Sequence, residues 1–161
     1  MTMGTEDGTR LLAEPRVHDF LAAARVARLA TAGAAGVPHN IPLCFWFDGA
    51  RFYFAIDEKP KRRGGAALKR MRNIAENPRI AIVVDHYEDD WSHLAYVMIR
   101  GTAQVVEDNE EYMMVLRNLR DKYRPYRTMS LSPETNPIVR INPERVNVWG
   151  ERFRDSRAAN Q

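Results

Sequence analysis

The feature that most constrains the fold is a succession of short β-prone runs, each closed by a turn. Asp48-Gly49 separates two such runs and is typical of a β-hairpin, because both residues tolerate the positive φ of the tight turn. The clearest strand is Arg79–Val84, which is β-branched and apolar, so we expect it to be central and covered on both faces. Strands and crossover helices do not alternate along the chain. The pattern therefore favours a mostly antiparallel barrel with helices packed outside.

The turn and periodicity signals predict about six strands and three helices. Pro15 opens the first helix, the second spans about residues 66–76, and the third runs from Asn109 to about Tyr123. Pro38 and Pro42 mark an edge or bulged strand, because neither can donate a ladder hydrogen bond. The predicted strands are residues 28–31, 37–47, 51–56, 79–84 and 94–106, and a closing pair at 138–141 and 145–149 that counts as one in the total of six.

Length and composition indicate one globular domain. The chain has 161 residues, of which 45% are hydrophobic and 28% charged. We expect a flexible tail over residues 1–13, the barrel over 14–150 and a charged tail over 151–161. Cys44 is the single cysteine, so no internal disulfide can form. The chain shows neither an export signal nor an apolar run of about 18 residues, which predicts a cytoplasmic protein without a membrane span.

The charge is unevenly distributed, although the net charge is only +3. Seven cations and no acid lie between residues 59 and 72, where a strand is predicted to end and a helix to begin. Backbone N–H groups and the helix dipole favour an anion at such a junction, and Gly64-Gly65 would let a ligand approach closely. A solvated basic loop is the alternative. Nucleic-acid binding is a third interpretation, which the absence of a recognition helix or stacking module disfavours.

Other reactive patterns are weak. His86 and His93 flank several acids, but their spacing matches no metal-ligand motif, so we expect no metal. Cys44 lies in an apolar strand, where a thiol is usually inert. No nucleophile elbow, Gly-x-Gly-x-x-Gly or Walker loop is present. The residues alone therefore indicate a barrel with an anion site that needs a cofactor to carry out chemistry.

Several segments, in order and spacing, resemble a known family. These are Val26–Thr31, Gly36–Phe45, Ile56–Arg62, Leu68–Arg79, Asp85–Trp91, Arg100–Ala103 and Val148–Gly150. Together they resemble the pyridoxamine-phosphate-oxidase-like split β-barrels that bind FMN, in particular the branch that uses the deazaflavin coenzyme F420. The resemblance implies a six-stranded antiparallel split β-barrel with flanking helices, assembled as a homodimer whose cofactor lies between the subunits.

The resemblance also implies roles for particular residues. Phosphate would be held by Lys59 and Lys61, with support from Arg70, Arg72 and Asn73 on the following helix. The cofactor ring would lie beside the segment that contains Asn40, Pro42 and Leu43, largely against its backbone atoms. Trp91 and Trp149 would wall either the ring or the substrate space. No catalytic residue is assigned; Tyr87, His86 or water are the proton sources considered.

The implied function is an F420-dependent reductase that delivers hydride to an electron-poor small molecule. F420 is preferred to FMN because Pro38–Leu43 lacks the cations of the Arg-x-x-x-Leu-Lys strand of true pyridoxamine phosphate oxidases. The long basic run would also suit the phosphodiester and acidic glutamate tail of F420. An FMN-dependent oxidoreductase and a non-catalytic flavin or haem carrier remain the alternatives.

Overall fold

The computed structural model describes residues 5–57 and 68–154. The helices are α1 (Thr5–Ala13), α2 (Pro15–Ala23), α3 (Lys69–Glu76) and α4 (Asn109–Lys122). The strands are β1 (Ala27–Ala32), β2 (Pro38–Leu43), β3 (Trp46–Phe47), β4 (Phe52–Ala55), β5 (Arg79–His86), β6 (Ala95–Val105) and β7 (Ile138–Gly150). Short 3₁₀ turns occupy Trp91–His93, Arg124–Arg127 and Glu151–Phe153. None of the helices in these ranges is long and apolar enough to cross a membrane.

The described strands form one antiparallel sheet in the order β2-β1-β5-β6-β7-β4-β3. The expected mostly β, antiparallel architecture with flanking helices is confirmed. The expected six strands are corrected to seven. The run predicted over 37–47 divides into β2 and β3, whereas the two predicted closing strands form the single strand β7.

The link between β2 and β3 makes the sheet a split barrel. These strands lie at opposite edges of the sheet, yet only Cys44 and Phe45 separate them. Three Cα steps span at most about 11 Å, so the sheet must curl until its edges nearly meet. Phe45 lies between the end of β2 and the start of β3 and is not paired with a neighbouring strand. Its backbone N–H instead donates to the Tyr123 hydroxyl at 3.0 Å. The edge position predicted for β2 from Pro38 and Pro42 is confirmed.

Apolar side chains fill the inside of the curled sheet. Residues such as Leu29, Ile82 and Ile99 are completely buried there. A second apolar layer lies between α4 and the outer face of β4, where Tyr53 packs with Tyr112 and Leu116. The helix α4 begins after Asp108, whose carboxylate accepts from the N–H of Glu111 at 2.7 Å.

Both predicted tails contain packed residues. Residues 5–13 form α1 instead of a flexible tail, because Leu12 is 1% exposed in the main core. At the other end Phe153 meets Phe20 edge-on, with ring centroids 5.2 Å apart. Burial of these apolar side chains is the physical reason that the folded unit extends beyond the expected limits of 14 and 150. Residues 1–4 and 155–161 lie outside the described ranges.

The prediction that β5 is central is confirmed, since it pairs with both β1 and β6. The prediction that it is covered on both faces is wrong for the single chain. Ile80, Ile82 and Val84 face the core, whereas Ala81 and Val83 on the opposite face are only half-buried. One side of the middle of the sheet is therefore left open.

A candidate ligand site on the open face of the sheet

The side of β1, β5 and β6 that points away from the core is called here the open face. In antiparallel strands, residues that oppose each other project to the same side. The register therefore places Ala30 beside Ala81, and Val83 beside both Arg28 and Met98. Ala30 and Ala81 are small, and Val83 and Met98 add apolar surface in the middle of the sheet. They form a shallow apolar depression of about 390 Å³.

Two cationic grooves adjoin this depression. The first, called here the arginine groove, measures about 770 Å³ and shares Arg28 and Asp85 with the depression. The second measures about 670 Å³ and shares Ala30 and Ala81 with it. The open face is thus one trough, apolar in the middle and cationic at both ends. The cations are Arg16, Arg25, Arg28 and Arg152 in the arginine groove, and Arg79, Arg100 and Arg145 in the second groove.

β2 forms one side of the trough. Asn40 opposes Ala30 and Pro42 opposes Arg28, so both exposed side chains lie on the open face. Leu43 has the opposite orientation and is 8% exposed, packed in the core. Of the three ring-side residues that the sequence predicts, Leu43 could therefore meet a ligand on this face only through its backbone.

Aromatic side chains border the trough on the far side. Trp149 stacks on Tyr96 with ring centroids 5.6 Å apart, and both lie in the row of the sheet that contains Asp85. Trp91 projects from the connection between β5 and β6 and is 81% exposed. Trp149 therefore borders the open face directly, whereas Trp91 stands on the loop beside it.

The connection that bears Trp91 is held by one carboxylate. Glu88 lies 2.7 Å from His86 Nε2 and 2.5 Å from His93 Nδ1. These two imidazoles lower the pKa of Glu88, and the hydrogen bond that His93 donates to Glu88 raises the pKa of His93. No group of three or more potential metal-ligating side chains is found among the described residues.

The predicted phosphate site is only partly described. Lys59 and Lys61 lie outside the described residues. On α3, Arg72 is exposed, and Arg70 is partly buried near Asp57; burial lowers the pKa of Arg70 and the Asp57 charge opposes that shift.

Asn73, the third predicted residue on α3, is completely buried and donates to Thr31 Oγ1 at 3.0 Å. This bond fixes α3 against the end of β1. The structure thus gives Asn73 a positioning contact with β1, whereas only Arg72 of the three is exposed.

Sequence reasoning missed the small residues at the centre of the open face and the arginines at its ends. The available signal was the alternation along β5, in which Arg79, Ala81, Val83 and Asp85 occupy one face and β-branched core residues the other. The prediction that Arg79–Val84 is an apolar strand buried on both faces did not take this alternation into account.

Comparison with known proteins places this geometry in a family. The family model for pyridoxamine 5'-phosphate oxidase matches residues 13–150. The chain belongs to this family. A pyridoxamine 5'-phosphate oxidase-like split barrel, predicted from the sequence, is confirmed.

One curated relative and two solved structures are similar to this chain. The chain is 32% identical over 132 residues to a 5a,11a-dehydrotetracycline/5a,11a-dehydrooxytetracycline reductase of Streptomyces rimosus, covering 81% of this chain and 78% of the relative. It superposes with a TM-score of 0.66 on HutZ, the haem storage protein from Vibrio cholerae, at 18% identity, covering 88% and 99% of the two chains. A FAD-binding protein from Mesorhizobium loti gives a TM-score of 0.60 at 20% identity, covering 92% and 95%. The two structural likenesses show a shared fold, and the reductase with the family model supports an oxidoreductase.

Proposed function

We propose that this protein is an F420-dependent oxidoreductase that delivers hydride from the reduced deazaflavin to an electron-poor small molecule. The single observation that carries the proposal is the trough on the open face, apolar in the middle and cationic at each end. The reductase relative and the family membership support the reaction class.

The centre of the open face suits a flat ring. Ala30 and Ala81 contribute only methyl groups, so a planar ring system could approach the sheet closely. Val83 and Met98 add apolar contact, and Asn40 offers a polar amide at the edge. Mostly apolar sites with a few polar groups are typical of cofactor pockets.

The choice between F420 and FMN rests on the cations near β2. Pro38–Leu43 contains no lysine or arginine, so this strand offers no charge to the compact phosphate of FMN. The basic run from Lys59 to Arg72 has seven cations and suits a longer anion better. This contrast favours the deazaflavin.

The protein's contribution would be binding, orientation and exclusion of water. The bound coenzyme would supply the hydride. A second copy of the chain would cover the open face, because an apolar depression flanked by exposed Trp149 and Val26 leaves much apolar surface in water. We therefore propose a homodimer with two coenzyme sites at its interface.

The proposal is tested by titrating the purified protein with F420, FMN and haem in parallel, using fluorescence and absorbance. Tightest binding of F420, with oxidation of its reduced form by an enone acceptor, is the expected result. Ala81→Phe should weaken F420 binding at least about tenfold by filling the depression. Ala34→Phe, in the exposed turn after β1, is the matched control and should leave affinity unchanged. Equal affinity of both variants would contradict the assigned site.

A non-catalytic flavin or haem carrier is the second candidate. It is favoured by the fold shared with a haem storage protein and by Met98, Tyr87 and Tyr96, whose side chains line the depression and include possible haem ligands. This candidate predicts a Soret band on haem addition and no turnover with any electron acceptor. A yellow protein with bound FMN would instead support an FMN-dependent enzyme. Light scattering of the same samples tests the dimer.

A further inference from the structure

The connection between β5 and β6 carries a large aromatic side chain that is left in water. Trp91 is 81% exposed, although tryptophan side chains usually bury most of their surface. The connection begins at the border of the open face, because Tyr87 lines the apolar depression and His86 lines the arginine groove. An exposed aromatic side chain at the border of a ligand site is typical of a residue that contacts a bound molecule.

The position of Trp91 depends on the turn that carries it, because burial does not fix the side chain. Trp91 is the first residue of a 3₁₀ turn that ends at His93. Asp90 caps this turn, since its Oδ1 accepts from the backbone N–H of Ser92 at 3.0 Å and from the Ser92 hydroxyl at 2.7 Å. The cap orders the start of the turn but does not attach the turn to the sheet.

Glu88 makes that attachment. Its carboxylate lies 2.7 Å from Nε2 of His86, the last residue of β5, and 2.5 Å from Nδ1 of His93, the last residue of the turn. Leu94 follows His93 and is 8% exposed, so the chain is again packed from that point. One carboxylate therefore joins the two ends of the segment that presents Trp91.

The strength of this junction depends on the charges near it. The hydrogen bond to Glu88 and the charge of Asp90 raise the pKa of His93, whereas the charge of Arg152 opposes that shift. The bond between His93 and Glu88 is charge-assisted while the imidazole is protonated, and it weakens as the pH rises through the pKa of His93. The other charged groups here are Asp89, the Arg28–Asp85 pair and the Glu151–Arg154 pair of the turn that packs against the connection.

The height of Trp91 above the sheet determines what it can contact. A coenzyme ring that lies against the sheet presents only its outer side to an electron acceptor, and side chains that stand away from the sheet can reach that side. Trp149 belongs to β7 within the sheet, whereas Trp91 stands on the connection. We propose that Glu88 is a positioning residue, which fixes the turn so that Trp91 contacts the electron acceptor at the edge of the open face. This inference rests on the proposed function, because the coenzyme ring places the acceptor.

The first test is kinetic and uses reduced F420 with cyclohexenone as the acceptor. Glu88→Gln should raise KM for cyclohexenone about threefold and should change kcat and the Kd of F420 by less than about twofold. Asp89→Asn removes the same charge from an exposed neighbour and is the control, which should leave KM unchanged. Trp91→Ala should raise KM at least as much as Glu88→Gln. Adding Glu88→Gln to Trp91→Ala should raise KM no further, because Glu88 acts through Trp91.

The second test needs no turnover and follows Trp91 by fluorine NMR of protein labelled with fluorotryptophan. Trp91→Phe identifies the signal. Glu88→Gln should move it, and Asp89→Asn should leave it within the wild-type linewidth. In the wild type the signal should also move as the pH rises through the pKa of His93, and Glu88→Gln should abolish that movement.

The inference is overturned if Glu88→Gln leaves KM or the fluorine signal unchanged, if Asp89→Asn reproduces its effects, or if its effect on KM persists in the Trp91→Ala background. An unchanged KM together with a weakened dimer in light scattering would show that Trp91 contacts a second copy of the chain instead. Absence of turnover with every acceptor would overturn the proposed function and the acceptor contact with it. The fluorine signal would then decide separately whether Glu88 fixes Trp91.

Discussion

The hydroxyl of Tyr123 closes the gap between β2 and β3, and its removal should be costly. It accepts from the Phe45 N–H at 3.0 Å, and it lies 3.0 Å from the carbonyls of both Phe45 and Arg25, to which its one proton can be donated. Phe45 is completely buried, so water cannot replace these bonds in a Tyr123→Phe variant.

The expected cost follows from the groups left without partners. A buried N–H without an acceptor costs about 1–3 kcal/mol, and the lost donated bond adds about 1 kcal/mol. Tyr123→Phe should therefore lower the free energy of unfolding by about 2–4 kcal/mol, which corresponds to a urea midpoint about 1–2 M lower at an m-value of about 2 kcal/mol/M. Tyr112→Phe, which removes one bond of 2.9 Å to the Asn136 carbonyl, should cost less.

Alkaline pH provides an independent readout of the same hydroxyl. Burial raises the pKa of Tyr123 to about 12, above its ordinary value of 10. Because the folded pKa exceeds the unfolded one, this contribution to stability is complete below pH 10 and is lost as the pH rises towards 12. Tyr123→Phe should remove part of that alkaline loss. The control is Tyr87→Phe, which alters an exposed side chain and should change the free energy of unfolding by less than about 0.5 kcal/mol. A Tyr123→Phe midpoint equal to that of this control would refute the reasoning.

Two further predictions concern charged groups. Burial lowers the pKa of Lys122 to about 8, so stability should rise with pH between about 8 and 10.5 as the folded state releases its proton first. Lys122→Met should remove this rise with pH and should raise the free energy of unfolding at pH 7 by about 1 kcal/mol, a value reduced because the side chain is partly exposed. Urea unfolding at a series of pH values measures both effects, and a destabilised variant would contradict the prediction. On the β5–β6 connection, NMR titration should give His93 a pKa above 6.5, because of its hydrogen bond to Glu88 and the charge of Asp90. Glu88→Gln should lower that pKa, and an unchanged titration would show that the pair does not form in solution.

The amino-acid sequence by itself determined the class of fold. Strand positions follow from local properties, because a hairpin such as Asp48-Gly49 and an apolar run such as Arg79–Val84 carry their own geometric signal. Pro38 and Pro42 likewise predicted an edge strand, because proline has no backbone N–H to donate to a neighbouring strand. Order and spacing of short segments then sufficed to indicate the family.

The tertiary structure alone decided which side of the sheet is open and what gathers there. Arg25 and Arg152 are far apart in the chain, and only the folding of α2 and the Glu151–Phe153 turn onto the barrel brings them into one groove. The half-buried Ala81 and the buried Leu12 depend in the same way on which neighbours cover them. Burial and charge clustering arise from contacts between distant segments, and no local pattern records those contacts.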